Sequence, residues 1–188
     1  MKELSLNILD ITKNSVSAGA TKIDISIVTD VKGWLTIEIK DNGCGMSEEM
    51  LKNVMDPFCT TRTTRKVGMG IPLFKLAAEQ TGGNLSIMSC IEKGRNGTTI
   101  SATFDTNSID YTPMGDIIST ICILIAGSPE IDFNFIDRSP SYNVELHTSE
   151  LREILGDEIS LAEYEIQIWI KEFLTEQYSQ HTQYASND

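Results

Sequence analysis

The sequence predicts an α/β protein, a two-layer sandwich of a mixed sheet with helices on one face. Three observations predict it. Ile23, Ile25 and Ile27 alternate with Asp24 and Ser26, and Leu35, Ile37 and Ile39 repeat the pattern, so each strand has one apolar side. Leu4, Ile8 and Ile11 recur at helical spacing just before the first of these strands. The segments then succeed one another as helix, two strands, helix, loop, helix, two strands. Strands with a single apolar side pack helices on that side only.

The first helix carries its core stripe on Leu4, Ile8 and Ile11, and a second, polar stripe on Asn7, Asp10 and Asn14. It ends in "AGAT" (18–21), with Gly19 suited to the C-terminal cap. Two strands follow, "KIDISIV" and "WLTIEIK", and then the turn "DNGCGM". "SEEMLKNVM" (47–55) predicts a helix capped by Ser47, with acids in its first turn. Residues 56–71 show no periodicity and read as loop. Pro72 opens a helix to about Thr81, and Gly82 and Gly83 stop it. "NLSIMSCI" and "TTISATF" form two strands joined by "EKGRNG". Beyond Asp105, "GDIISTICILIAGS" predicts a buried helix, and "IDFNFID" and "YNVELH" predict strands. Thr148 or Ser149 would cap a short helix ending near Gly156. Ser160 and Glu163 form a capping box opening a helix to about Tyr178. Its stripe is Ile166, Ile170 and Phe173, widened by Tyr164 and Trp169. The expected organisation is a domain at 1–105, a small α/β extension at 106–178 and a polar, disordered tail at 179–188.

Composition narrows the function. The chain has 188 residues, with 15 Lys and Arg against 27 Asp and Glu, a net charge of −12. That excess of acid argues against nucleic-acid or anionic-membrane binding. The longest apolar stretch, "IISTICILIAG", is too short to span a bilayer. The opening residues do not form a secretory signal, so a cytoplasmic protein is expected. Cys44, Cys59, Cys90 and Cys122 are widely spaced and read as reduced thiols, not a zinc site. His147 and His181 are too few for a histidine-based metal site or triad.

Four motifs carry chemistry. Asp10 and Asn14, four apart, share one helix face. A carboxamide oxygen suits Mg²⁺, and a carboxylate one turn earlier suits the orientation or deprotonation of an attacking water. The same pair would also serve as an ordinary solvated face. Asp41 ends a strand where a buried carboxylate needs a donor, and a purine amino group is one. Gly43 and Gly45 allow the backbone close to a flat ring. "DNGCGM" also fits a plain tight turn. Gly68 and Gly70 in "KVGMGIP" precede a helix start, where backbone N–H groups cradle phosphates or simply form a flexible connection. "TTRTTRK" (60–66) gathers Thr60, Thr61, Arg62, Arg65 and Lys66, suited to a lid over phosphates or to a solvated basic patch.

The ordered set resembles the ATP-binding domain shared by gyrase, heat-shock chaperones, MutL and sensor histidine kinases: D-x-x-x-N on a helix, a strand pair, D-x-G-x-G, a hydroxyl-rich loop, G-x-G at a helix start and a hairpin ending in Gly-Thr. The run "NSVSAGATKIDI" is especially similar to MutL. The resemblance covers residues 1 to about 105. It implies that ATP and Mg²⁺ are the cofactors and that Asn14 binds the metal. It implies that Asp41 contacts adenine, that Gly43 and Gly45 shape the base pocket and that Gly68, Met69, Gly70 and Ile71 wrap the phosphates. Thr98, after Gly97, matches the family threonine behind the adenine. Met46, Thr60, Thr61, Arg62, Lys66 and Val67 complete the candidate nucleotide set, and Asp10 is the candidate catalytic residue. Hydrolysing members usually carry Glu where this chain has Asp10, one methylene shorter, so ATP binding is expected more firmly than rapid hydrolysis.

A sensor histidine kinase carries a preceding dimerisation helix pair with a phosphoacceptor His. Here the nucleotide domain starts at Met1, so a complete sensor kinase is not expected. The expectation is a slow regulatory ATPase or ATP-gated switch acting on a protein partner. The alternatives are a serine/threonine kinase of the anti-sigma-factor type, or an ATP-stabilised interaction module without turnover. A homodimer is compatible with the family. The whole chain is also similar to small stand-alone bacterial ATPases of anaerobes, some encoded beside iron-hydrogenase subunits, which implies a regulatory or maturation partner.

Overall fold

The computed structural model describes residues 3–54, 70–156 and 158–182. Twelve elements follow in chain order: α1 (Leu4–Ser17), β1 (Lys22–Thr29), β2 (Trp34–Asp41), α2 (Glu48–Val54), α3 (Gly70–Gln80), β3 (Leu85–Cys90), β4 (Gly97–Asp105), α4 (Ile117–Gly127), β5 (Asp132–Ser139), β6 (Tyr142–His147), α5 (Thr148–Leu155) and α6 (Tyr164–Thr182). The six strands form one sheet in the order β3-β4-β2-β1-β5-β6. All neighbours are antiparallel except β1 and β5, which run parallel, so the sheet is mixed.

The register stacks the alternating residues into one apolar face. Ile25 pairs with Ile39 and Phe135, Ile37 with Ala102, and Phe135 with Leu146, all of them buried. The intervening Asp24, Ser26, Thr36 and Glu38 are only part-buried on the opposite face. Helices cover the apolar face. Leu4, Ile8 and Ile11 of α1 are buried on it. Phe74 of α3 meets Phe104 of β4 with ring centroids 5.4 Å apart. Ile121, Leu124 and Ile125 of α4 and Ile170 and Leu174 of α6 complete the layer. Strands β5 and β6, which follow Asp105, continue the same sheet beside β1.

Several element limits differ from the sequence expectation. Helix α3 is already helical at Gly70, two residues before Pro72, so Pro72 lies within the helix and does not open it. Helix α6 begins at Tyr164, not at Ser160. The Ser160 hydroxyl accepts the N–H of Ala162 at 3.2 Å, and Glu163 accepts the Ser160 N–H at 3.3 Å. These bonds form a turn that buries Leu161, and the helix starts after it. Tyr164 is exposed and does not join the α6 stripe, whose fully buried members are Ile170 and Leu174. The helix runs to Thr182, past the expected limit of Tyr178. Thr148 does not cap α5; its hydroxyl accepts the Phe133 N–H at 2.8 Å and so ties α5 to β5.

The β6 edge of the sheet is closed by a side chain. Gln177 of α6 accepts the Glu145 N–H at 2.9 Å and donates to the Glu145 carbonyl at 3.0 Å. It thereby occupies backbone groups that would otherwise recruit another strand. Among the described residues, no helix is long and apolar enough to cross a membrane.

Candidate nucleotide site

The polar stripe of α1 splits into two parts. Asn7 is buried at 2% exposure, and its Nδ2 has no hydrogen-bond partner. Asp10 and Asn14, one turn apart, are exposed. A Cβ placed on Gly70 would lie 3.2 Å from the Asp10 Cβ and 3.7 Å from its Oδ2. The first turn of α3, with Gly70 and Ile71, is therefore set directly against Asp10. The described part of helix α3 is 11 residues long and starts at this contact.

Ser15, next to Asn14, turns inward and reaches β2. Its hydroxyl donates to Asp41 Oδ2 at 2.6 Å. The other Asp41 oxygen, Oδ1, accepts the Gly43 N–H at 2.9 Å and the Thr98 N–H at 3.3 Å. Asp41 pairs directly with Thr98 across β2 and β4, so the Thr98 amide lies beside it. Three donors from three elements thus fix a part-buried carboxylate at the end of β2.

The loop after Asp41 is an arch pressed against the β3–β4 hairpin. Gly45 has φ +72°, and a Cβ there would lie 2.0 Å from the Cys90 carbonyl oxygen. A Cβ on Gly97 would lie 2.1 Å from the Asp41 carbonyl oxygen. Only glycine allows both approaches. The Asn42 side chain accepts the N–H groups of Thr21 and Lys22, each at 2.9 Å, and ties the arch to the start of β1. The Met46 N–H donates to the Ser89 hydroxyl at 2.7 Å, and that hydroxyl stands 2.9 Å from the Thr98 hydroxyl. "DNGCGM" is therefore held from three sides and is not a free-standing turn.

The structure brings Asp41, Gly43, Gly45, Met46 and Thr98 together at one end of the sheet, and sets Gly70 and Ile71 of α3 against Asp10, with Asn14 one turn further along the same exposed face of α1. Thr60, Thr61, Arg62, Arg65, Lys66, Val67, Gly68 and Met69 lie outside the described residues. Sequence reasoning missed Ser15, Ser89 and Asn96. Ser15 stood within the quoted "NS" run, and Asn96 directly before the Gly-Thr pair. Cys44, Cys90 and Cys122 are free thiols.

A family model described as histidine kinase-, DNA gyrase B- and HSP90-like ATPase matches residues 1–108. The chain belongs to this ATPase family. ATP binding is the shared property of its domain. Among curated relatives, the histidine-protein kinase AtoS of Escherichia coli is 31% identical over 100 residues, covering 53% of this chain and 16% of that protein. The sensor protein KdpD of Clostridium acetobutylicum is 30% identical over 102 residues, 52% of this chain and 11% of its own length. The chain thus matches only a small part of these sensor proteins. The MutL ATPase domain of Aquifex aeolicus, complexed with ADP, shares the fold. It is 18% identical, with 82% of this chain and 68% of that one covered and a TM-score of 0.50.

The residues present fit an adenine nucleotide. Of the four lone-pair directions on the Asp41 carboxylate, three are taken, and one on Oδ2 remains for an exocyclic amine. The Asn14 carboxamide makes no hydrogen bond within the described chain, so its oxygen is available to a cation. Among the described residues, no group of three or more His, Cys, Asp or Glu side chains would hold a metal by itself. A single protein oxygen is an ordinary contribution to a Mg²⁺ whose other ligands are water and phosphate.

Proposed function

We propose that the protein binds Mg·ATP and hydrolyses it slowly, acting as a regulatory ATPase or ATP-gated switch on a protein partner. The observation that carries the proposal is the convergence of Asp10 with the first turn of α3, while Asp41 stands ready at the end of β2. In it, Asp41 accepts the adenine amine, and Gly43, Gly45 and Met46 line the base. Thr98 holds Asp41 from behind through its backbone N–H. Asn14 supplies the protein oxygen to Mg²⁺, and the α3 N-terminus with Gly70 and Ile71 faces the phosphates. Bound Mg·ATP supplies the transferable phosphoryl group and the charge that neutralises it. Asp10 orients the attacking water and takes its proton; its short side chain sets it further from that water than a Glu, which limits the rate. Residues 1–105 provide the nucleotide site, and residues 106–178 complete the sheet and offer the surface through which a partner responds.

The test uses purified protein and Asp10→Asn, with nucleotide affinity measured by calorimetry and turnover by phosphate release. Affinity should be retained, and hydrolysis should fall by about 10²- to 10⁴-fold, the range for loss of a general base. Hydrolysis as fast as the parent's would remove Asp10 from the chemistry. Label from γ-labelled ATP found on a partner protein, with no free phosphate, would replace the ATPase by a protein kinase.

A further inference from the structure

We infer that Asn96 is a positioning residue for the base pocket. It acts through the arch that follows Asp41 and does not itself touch the nucleotide. The inference rests on the nucleotide reading above and deepens it.

Asn96 is the last residue of the β3–β4 connection, directly before Gly97 and Thr98. Its Nδ2 donates to two successive carbonyls of the arch, Gly43 O at 2.7 Å and Asn42 O at 3.1 Å. Both amide hydrogens are therefore used on the loop that must receive the base. Its Oδ1 accepts the Gly94 N–H at 3.2 Å, which fixes the side chain in that orientation. The Asn42–Gly43 peptide is thereby held on both sides. Its carbonyl, that of Asn42, accepts from Asn96, and its N–H, that of Gly43, donates to Asp41 Oδ1. Asn42 grips β1 from the same turn.

The chemistry requires an amide at position 96. A backbone carbonyl is an acceptor only, so two of them facing one side chain need a group with two hydrogens on one nitrogen. Serine offers one hydrogen. Aspartate offers none and sets carboxylate oxygens against carbonyl oxygens. Release of the Asn42 carbonyl frees the Asn42–Gly43 peptide to rotate, and with it the N–H that helps hold Asp41. The adenine acceptor then loses its fixed direction. The effect belongs to the base end of the site and is independent of metal and phosphates.

The experiment compares the parent with Asn96→Asp, Asn96→Ser and the control Arg95→Ala. Arg95 is exposed in the same connection and makes no side-chain bond among the described residues. Affinities for ADP without metal and for Mg·ATP are measured by calorimetry, thermal stability by unfolding, and backbone protection at Gly43 to Gly45 by hydrogen exchange without nucleotide. Asn96→Asp should weaken ADP and Mg·ATP alike, by roughly tenfold or more, the worth of two hydrogen bonds. Asn96→Ser should fall between it and the parent, and Arg95→Ala should match the parent. Protection at Gly43 to Gly45 should drop most in Asn96→Asp and partly in Asn96→Ser, while Arg95→Ala and strands β1 and β2 keep theirs. Equal ADP affinity in Asn96→Asp and parent overturns the inference, as does a loss confined to Mg·ATP. If the parent binds no adenine nucleotide, the nucleotide reading fails, and hydrogen exchange still decides: unchanged protection at Gly43 to Gly45 means that Asn96 does not hold the arch.

Discussion

Asp41→Asn isolates the group proposed to read the base. In the structure, Gly43 N–H and Thr98 N–H both donate to Oδ1, and Ser15 donates to Oδ2. An asparagine must keep its one oxygen where two backbone donors converge, so its NH₂ takes the place of Oδ2. The Ser15 hydroxyl can rotate to accept instead of donate, so the fold loses little. The remaining direction changes from acceptor to donor. An adenine amine arriving there loses a hydrogen bond to a charged group, worth about 1.5–3 kcal/mol, and meets another N–H. Affinity for ADP and ATP should therefore fall by roughly 10- to 150-fold. A guanine carbonyl would find a donor where the parent offers a carboxylate, so the preference for ATP over GTP should narrow or reverse. Calorimetry with ADP, ATP and GTP, alongside thermal unfolding of the free variant, gives both quantities. An ATP affinity within about twofold of the parent, with the ATP-to-GTP ratio unchanged in a folded variant, would refute the assignment of Asp41.

Two further outcomes are expected. Asn14→Ala should weaken Mg·ATP while leaving metal-free ADP almost unaffected, since in the proposed role the lost oxygen serves the cation alone; an equal loss for both ligands in a titration would contradict that role. Asp137→Asn should act on stability with a definite pH dependence. Asp137 is buried at 3% exposure on β5; burial pushes its carboxyl up, opposed by the bonds from Tyr178 and Tyr142, the Tyr178 hydroxyl standing 2.6 Å from Oδ2. A carboxyl raised in the folded state stabilises fully below its unfolded pKa and loses that contribution as pH rises through the folded one. The variant should therefore gain melting temperature over the parent at neutral pH, and the gain should vanish in acid below the ordinary carboxylate range. A gain that grows on acidification would have the wrong sign.

Periodicity alone determined the inner face of the sheet, because alternation puts Ile23, Ile25 and Ile27 on one side whatever their partners are. The α1 stripe and the cap at Ser47, whose hydroxyl accepts the Met50 N–H at 3.3 Å, were equally legible, being decided within a turn or two of chain. So were Asp10, Asn14 and the D-x-G-x-G arch as candidates, since residue type and short spacing carry them. Local sequence did not show that β5 would lie parallel to β1, that Gln177 would close the β6 edge, or that Tyr164 would stay outside the α6 stripe. Nor did it show that Asn7 would be buried while Asp10 and Asn14 remained exposed, which depends on how the other elements pack around α1. Ser15 and Asn96 are the clearest cases. Each is a common polar residue whose role is set by a partner 26 or 53 positions away in the chain. Hydrogen bonds act over about 3 Å, so such a role exists only once the sheet and helices have brought the two stretches together.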